Sequence, residues 1–370
     1  MGFNFSKIVA AAGNEYMTKA GDIRGITDEW ISTGSYALNA LISGDIFKGI
    51  PNNKATMFAG IESVGKSLFT KFICNNAMKM GYRVVYFETE GAVDEDTFKP
   101  LGWVKDEHYQ ILPVKTIEDL RTQAYSVVEK YKEYYKKEVT DSNYKDRAKL
   151  LFVVDSIGML SSKGAEKNLD KGEVKRDMTK QQQLRELFRD LCIDLSVLKI
   201  PFIPVNHVYE VIGAYVRTQA VSGGGGGKYG ASTIISLKKK AARNNDKKQI
   251  GAIITANNPK SRKTVENTEV EIYLNFEKGI NPYYGLDKFL EDETIIKRKS
   301  PRSPEYLLVY KGQNEKGEYP SVNGVVWKHP EVINEILPLI NEKVKELFEF
   351  GGSGLADDGS FADVEEEILD

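Results

Sequence analysis

From Trp30 onward the chain alternates short apolar runs, glycine turns and stretches with apolar residues at helical spacing, which is the pattern of a mostly parallel α/β sheet. Thr56 to Ala59 predicts a short buried strand, and Leu68 to Met80 predicts a helix closed by Gly81. Arg83 to Phe87 predicts a second strand that ends in Glu88, Thr89 and Glu90, and Ile117 to Lys137 a long charged helix rich in Tyr and Lys. Leu150 to Val154 is apolar without a break, as a strand buried on both faces should be, and Asp155 and Ser156 close it. A helix is predicted from Gln181 to Leu198, then a strand from Ile200 to Val205 that Pro201 and Pro204 weaken, because proline cannot donate to a ladder. Val208 to Gly227 reads as one long connection closing on five consecutive glycines, after which Ser232 to Lys240 returns to strand and ends in three lysines.

The two ends of the chain read differently. Residues 1–30 mix small, polar and charged types around Phe3, Phe5, Ile8 and Val9, which predicts a short helical arm that packs on a neighbouring subunit. Residues 31–280 form the predicted core. Beyond Asn281 and Pro282 the pattern loosens into scattered Pro, Gly and charge and then a helix from Pro330 to Phe350, so residues 281–350 are expected to form a small C-terminal α/β domain. Gly351 to Gly354 reads as a hinge into an acidic, disordered tail over 351–370.

At 370 residues and 41% hydrophobic content the chain is long enough for one large core with appendages. No apolar run approaches the length that crosses a bilayer, and the N-terminus lacks a signal peptide's uninterrupted apolar stretch, so a cytoplasmic protein is expected. Cys74 and Cys192 both fall in helix-like apolar patterns without metal-ligand spacing and read as reduced core residues. The net charge is −2, yet residues 355–370 carry seven acids and no Lys or Arg, which leaves the rest of the chain at +5. The tail is therefore either a solubiliser or an intramolecular competitor for sites that take a polyanion.

Gly60 to Ser67 reads G-I-E-S-V-G-K-S, between a predicted strand and a predicted helix. Gly60 and Gly65 let successive backbone N–H groups turn inward on a phosphate, Lys66 reaches the β- and γ-phosphates, and Ser67 offers its hydroxyl to Mg²⁺. Glu62, Ser63, Val64 and Leu68 complete the loop and the first turn of the helix, whose N-terminus adds the positive end of its dipole. Asp155, at a strand tip, is placed to hold Mg²⁺ or its water. Glu88 and Glu90 both suit an active site, and spacing alone does not separate them. Asn206 and His207 end a strand, where a lone His is more often structural than catalytic. In the connection after it, Tyr209, Ile212, Gly213 and Arg217 suit insertion between nucleic-acid bases, while composition alone also allows a plain linker.

Ile31 to Pro51 (I-S-T-G-S-Y-A-L-N-A-L-I-S-G-D-I-F-K-G-I-P) followed by the phosphate loop closely resembles the start of the ATPase core of the RecA recombinases. The resemblance continues in order through F-E-T-E-G-A-V-D (Phe87 to Asp94), L-F-V-V-D-S (Leu151 to Ser156), V-N-H (Val205 to His207), G-G-x-x-x-K-Y-x-A-S (Gly223 to Ser232), P-K-S-R-K (Pro259 to Lys263) and F-E-K-G-I-N-P-Y-Y-G (Phe276 to Gly285). It spans roughly residues 30–350. Among its branches, N-H-x-Y-E and the Lys-rich insertion look most like the tailed-phage recombinases of the UvsX type.

The resemblance implies a RecA-type P-loop ATPase core that uses ATP and Mg²⁺. It implies Glu90 as the general base, Asn206 and His207 as sensors of the γ-phosphate, and Lys260 and Arg262 as a basic pair reaching ATP on the neighbouring subunit. It places Ile212 as a wedge between base triplets, with Gly213, Arg217, Gly223, Gly224, Lys228 and Tyr209 in the second DNA loop. A first DNA loop falls within Glu166 to Met178, where Lys175, Arg176 and Met178, along with Lys167 and Lys171, are candidates. Asp94 stands near the adenine position, where Thr97 replaces the family's aromatic residue.

The implied activity is DNA-stimulated ATP hydrolysis, homologous pairing and strand exchange. The implied partners are single-stranded DNA, a homologous duplex and further copies of the chain in a helical filament, with a single-strand-binding protein and a mediator as additional candidates. The alternatives are a hexameric helicase on the same core and a regulatory ATPase that ignores DNA.

Overall fold

A computed structural model describes residues 27–91, 108–138, 148–170, 179–210, 219–221, 230–290, 294–300, 303–324 and 326–348. The contacts divide the chain into two units, one holding residues up to Arg262 together with Glu266–Leu286, the other Lys263–Val265 together with residues from Asp287 onward.

The first unit opens with β1 (Trp30–Ile31), α1 (Tyr36–Ser43) and β2 (Ile50–Pro51), with β1 and β2 antiparallel. Ser35 caps α1 by accepting the Leu38 N–H at 3.3 Å, and Gly44, at φ 74°, ends it in the left-handed region that glycine adopts without strain. Asn39, 1% exposed, ties this segment together: its Oδ1 accepts from the Thr33 N–H and hydroxyl, and its Nδ2 donates to Ser32 Oγ and the Ile46 carbonyl.

The chain then enters β3 (Thr56–Gly60), α2 (Lys66–Lys79), β4 (Tyr82–Glu88), β5 (Tyr109–Pro113), α3 (Ile117–Glu138) and β6 (Lys149–Asp155). After these come α4 (Lys163–Asp170), α5 (Lys180–Val197), β7 (Phe202–Glu210), β8 (Gln219–Val221), β9 (Thr233–Arg243), β10 (Gln249–Ser261), β11 (Glu269–Asn275) and β12 (Gly279–Ile280). They build one sheet in the order β12-β11-β10-β9-β3-β7-β6-β4-β5, with β8 paired to the far end of β7. From β9 to β5 the strands are parallel, while β10, β11, β12 and β8 pair antiparallel. Parallel strands covered on both faces must be apolar throughout, and β3 is buried along its whole length.

Strand alternation sorts the two faces. Phe87, Phe152, Val154 and Phe202 meet Leu120, Ala124 and Val128 of α3 and Leu184, Phe188, Leu191 and Leu195 of α5, whose spacing of three to four residues gives each helix one apolar stripe. Each such buried Leu, Val or Phe contributes about 1.5–3 kcal/mol. The opposite face receives α2, which buries Phe69, Ile73, Cys74 and Ala77. Both cysteines are free thiols, and burial pushes the Cys192 thiol up to about 12.

Two elements differ from the sequence pattern. Helix α2 begins at Lys66, two residues before the apolar spacing starts, because Gly65 at φ 106° turns the backbone directly into it. β7 begins later than Ile200 and runs to Glu210. Pro201 falls just before the strand, where its carbonyl accepts the Phe152 N–H at 3.0 Å, and Pro204 stands within it opposite Val154. Its extension is held by β8, with Val208 opposite Val221 and Glu210 opposite Gln219, so the segment read as one long connection starts and nearly ends in a two-stranded ribbon.

In the second unit β13 (Lys297–Arg298), β14 (Glu305–Leu307) and β15 (Ser321–Asn323) form an antiparallel sheet, and α6 (Pro330–Phe348) carries the apolar stripe Ile333, Ile336, Leu337, Ile340 and Val344. Phe348 packs on Phe289, and its carbonyl accepts the Val265 N–H at 3.1 Å. Among the described residues no helix is long and apolar enough to cross a membrane.

Candidate functional site

At the C-terminal end of β3 the sequence has no room for a side chain. A Cβ on Gly60 would lie 2.8 Å from Val64 Cγ1 and 2.9 Å from the Leu237 carbonyl, so only glycine lets the loop leave the sheet here. Val64 turns its side chain into the core at 1% exposure, which anchors the loop from beneath. Ser63 takes φ 57° at the crest, and Lys239 of β9 donates to its carbonyl. Lys66, 5% exposed, folds its ammonium back onto the carbonyls of Gly60 and Ile61 at 3.0 and 2.7 Å. Burial holds its pKa below the usual lysine range, opposed by the charges of Asp155, Glu90 and Glu62.

The registers bring the other predicted groups to this loop. His207 of β7 is level with Gly60, and Asn206 with Ala59. Asp155 of β6 is level with Glu88 of β4. Asp155 is 7% exposed; burial raises its pKa, against hydrogen bonds from the Tyr86 phenol, 2.5 Å from Oδ2, and from the Ser67 side chain.

The two glutamates, alike in sequence, separate in space. Glu88 ends β4, and its two carboxylate oxygens accept the N–H groups of Glu90 and Gly91, both at 2.9 Å, which shapes the turn that follows. They do not share a strand face, since β4 ends at Glu88. Glu90 instead faces the loop, its Oε1 accepting from Ser156 Oγ and from His207 Nε2, each at 2.9 Å. Because a carboxylate only accepts, His207 carries its proton on Nε2 when neutral. Burial pushes Glu90 up, but His207, Ser156 and the Lys66 charge together hold it below the usual carboxylate range.

A cavity of about 550 Å³ opens over the loop, lined by Glu62, Ser63, Gly65, Lys66, Ser67, Leu68, Glu90, Met159 and His207. That volume lies within the range of small-molecule sites.

Sequence reasoning missed four contributors. Met159, 54% exposed in the turn after β6, lines the cavity. Thr89 laces the tips of β4 and β6: its hydroxyl accepts the Ser156 N–H at 2.7 Å and donates to the Ser156 carbonyl at 2.9 Å. Tyr86 and Lys239 reach in from strands where they read as core aromatic and surface charge. Only Thr89 had a signal, its place inside E-T-E.

Lys260 and Arg262 are not part of this constellation within one chain. Lys260 pairs in register with Ile234, and the Arg262 N–H donates to Ser232, at the opposite end of β3, about 13 Å along the strand. Burial, then Arg262, lowers the Lys260 pKa. Asp94, Lys175, Arg176, Met178, Ile212, Gly213, Arg217, Gly223, Gly224 and Lys228 lie outside the described residues, as do the N-terminal arm and the acidic tail. Of Tyr209, the backbone in β7 is described.

The donor set fits a Mg²⁺–nucleotide pair. Among the described residues no cluster of three or more His, Cys, Asp or Glu is placed to hold a metal by itself. The Ser67 hydroxyl and Asp155 carboxylate are hard oxygen donors of the kind Mg²⁺ takes alongside phosphate oxygens, and the loop beside them presents the Lys66 ammonium and a helix N-terminus.

A parallel sheet with a glycine-bounded loop running into a helix, and an acid at the tip of a nearby strand, defines an α/β core of the phosphate-loop architecture. Residues 2–281 match the family model described as the RecA N-terminal domain, and the chain belongs to that family. It is 27% identical over 266 residues to the "Recombination and repair protein" of Enterobacteria phage T4, across 71% of this chain and 64% of that one. It is also 26% identical over 223 residues to "Protein RecA" of Fusobacterium nucleatum subsp. nucleatum, across 58% and 52% respectively. The matches thus span less than two thirds of either relative's length.

Proposed function

We propose that the chain is an ATP-dependent DNA strand-exchange recombinase, which assembles on single-stranded DNA, pairs it with a homologous duplex and hydrolyses ATP to let go. The observation that carries this reading is the position of β3 between β7 and β9, the two strands that lead into and out of residues 211–229. The β9 root begins at Thr233, level with Thr56 at the far end of β3, whereas the phosphate loop and the β7 root of the candidate DNA loop are neighbours in the ladder. His207 stands where they meet, level with Gly60 and bonded to Glu90.

Each residue has a stated task. Lys66 exchanges its two carbonyl partners for phosphate oxygens. Ser67 and Asp155 would hold Mg²⁺, which when bound neutralises phosphate charge. Glu90, kept ionised by its neighbours, orients and deprotonates the attacking water once His207 releases it. His207, drawn to the γ-phosphate with Asn206, carries that change along β7 toward Ile212, Gly213 and Arg217. Lys260 and Arg262, remote from their own loop, act on ATP held by the adjoining subunit, so hydrolysis requires assembly. Affinity for DNA comes mainly from phosphate contacts, with sequence read by the strands themselves.

The names of the two relatives point to recombination and give no support to a helicase. The decisive experiment measures ATPase rate with and without single-stranded DNA and images the assembly by electron microscopy. DNA stimulation with helical filaments is expected. Closed hexameric rings would replace the reading with a helicase, and absence of DNA stimulation with a regulatory ATPase. Lys66→Ala should abolish both hydrolysis and strand exchange.

A further inference from the structure

We infer that Tyr86 is a positioning residue for Asp155, its phenol fixing the carboxylate in the orientation from which it serves a divalent cation at the phosphate loop. This rests on the nucleotide-site reading above.

Tyr86 lies in the middle of the β4 apolar run, 1% exposed, where a phenylalanine would fill the same space without a polar atom to satisfy. Its hydroxyl goes to Asp155 Oδ2 at 2.5 Å. In register Tyr86 stands opposite Val153 and Asp155 opposite Glu88, so the phenol reaches diagonally forward to the neighbouring strand's tip. The ring is held by stacking on Tyr109 of β5, centroids 5.5 Å apart and planes 27° from parallel.

A carboxylate 7% exposed must find donors within the protein. Asp155 has one on each side: the Ser67 side chain from the loop and Tyr86 from the sheet. Binding of a cation by Ser67 and Asp155 disturbs the first of these and leaves the second in place. The stacked phenol, with two side-chain torsions, then keeps Oδ2 engaged and the carboxylate from rotating. Burial and the Asp155 charge push the phenol well above its ordinary range, so it remains a neutral donor. Outer-shell partners of this kind commonly set metal affinity by tenfold or more.

The test titrates Mg²⁺ against binding of a fluorescent ATP analogue to the full-length protein, with a parallel titration of the analogue in EDTA. Tyr86→Phe is expected to raise the Mg²⁺ concentration for half-maximal binding by about tenfold and to leave the EDTA affinity within about twofold. Val84→Ala, on the same buried face, should lower the melting temperature without moving the Mg²⁺ midpoint. An unchanged midpoint in a natively melting Tyr86→Phe overturns the assignment, and so does an equal loss with and without Mg²⁺. If Tyr86→Phe itself melts early, a double-mutant cycle decides: in an Asp155→Asn background the Tyr86 change should have no further effect on the midpoint, whereas additive losses refute the coupling. A wild-type protein whose analogue binding ignores Mg²⁺ would sink the metal-site reading instead, whatever Tyr86 does.

Discussion

Glu90 sits in a three-way hold among Ser156, His207 and the field of Lys66. That hold depresses its pKa, so removing a holder should let it rise. In His207→Ala the acid limb of the kcat–pH profile is expected to move to higher pH, because Glu90 must be ionised to act and would now protonate sooner on acidification; an unmoved limb would mean that the ring does not govern this carboxylate. Glu90→Gln should keep nucleotide affinity within a few fold while kcat falls by about 10²-fold or more, read by equilibrium binding alongside turnover. The phosphate-loop residues were legible in the sequence because geometry forces their types: glycine where a Cβ would strike the Leu237 carbonyl, lysine and serine at the helix start. Glu88 and Glu90 were not separable, since their difference arises only when β4 stops at Glu88 and the next two N–H groups turn back onto it. Tyr86 was invisible for the opposite reason, being a polar handle inside an apolar run.

Elements whose partners lie within the local pattern were readable; those that depend on a distant partner were not. Helices α3 and α5 follow their apolar spacing to within a residue or two of the expected ends, and β6 shows as an unbroken apolar run. The last third of β7 had no such signal, because Val208 to Glu210 are strand only by virtue of β8. The segment before β3 depends on Asn39, whose four hydrogen bonds join Ser32, Thr33 and Ile46. Asn39→Ala would remove the acceptor of the buried Thr33 N–H and a donor to the Ile46 carbonyl and should cost about 2–3 kcal/mol, a fall in Tm of about 3–5 °C by calorimetry. A melting curve matching wild type would show that water or a neighbour replaces the amide.

At the scale of the molecule, charge is divided between a body at +5 and a C-terminal stretch with seven acids. Deleting residues 355–370 should tighten binding to single-stranded DNA at moderate salt, with the difference fading as salt rises, because the competition is between polyanions. Equal affinities across the salt series would leave that stretch a solubiliser.

The seating of β3 between β7 and β9 has a consequence for how such a protein changes over time. The anchorage lies in the ladder, in backbone bonds that are indifferent to side-chain identity, and residues 211–229 span from one anchor to the other. Length and composition of the span are thereby uncoupled from the engine beneath it. Exchanging residues 211–218 and 222–229 for unrelated stretches, with the Val208–Glu210 and Gln219–Val221 pairing kept, should preserve basal ATP turnover and alter only what the protein grips: a replaceable tool head on a fixed drive.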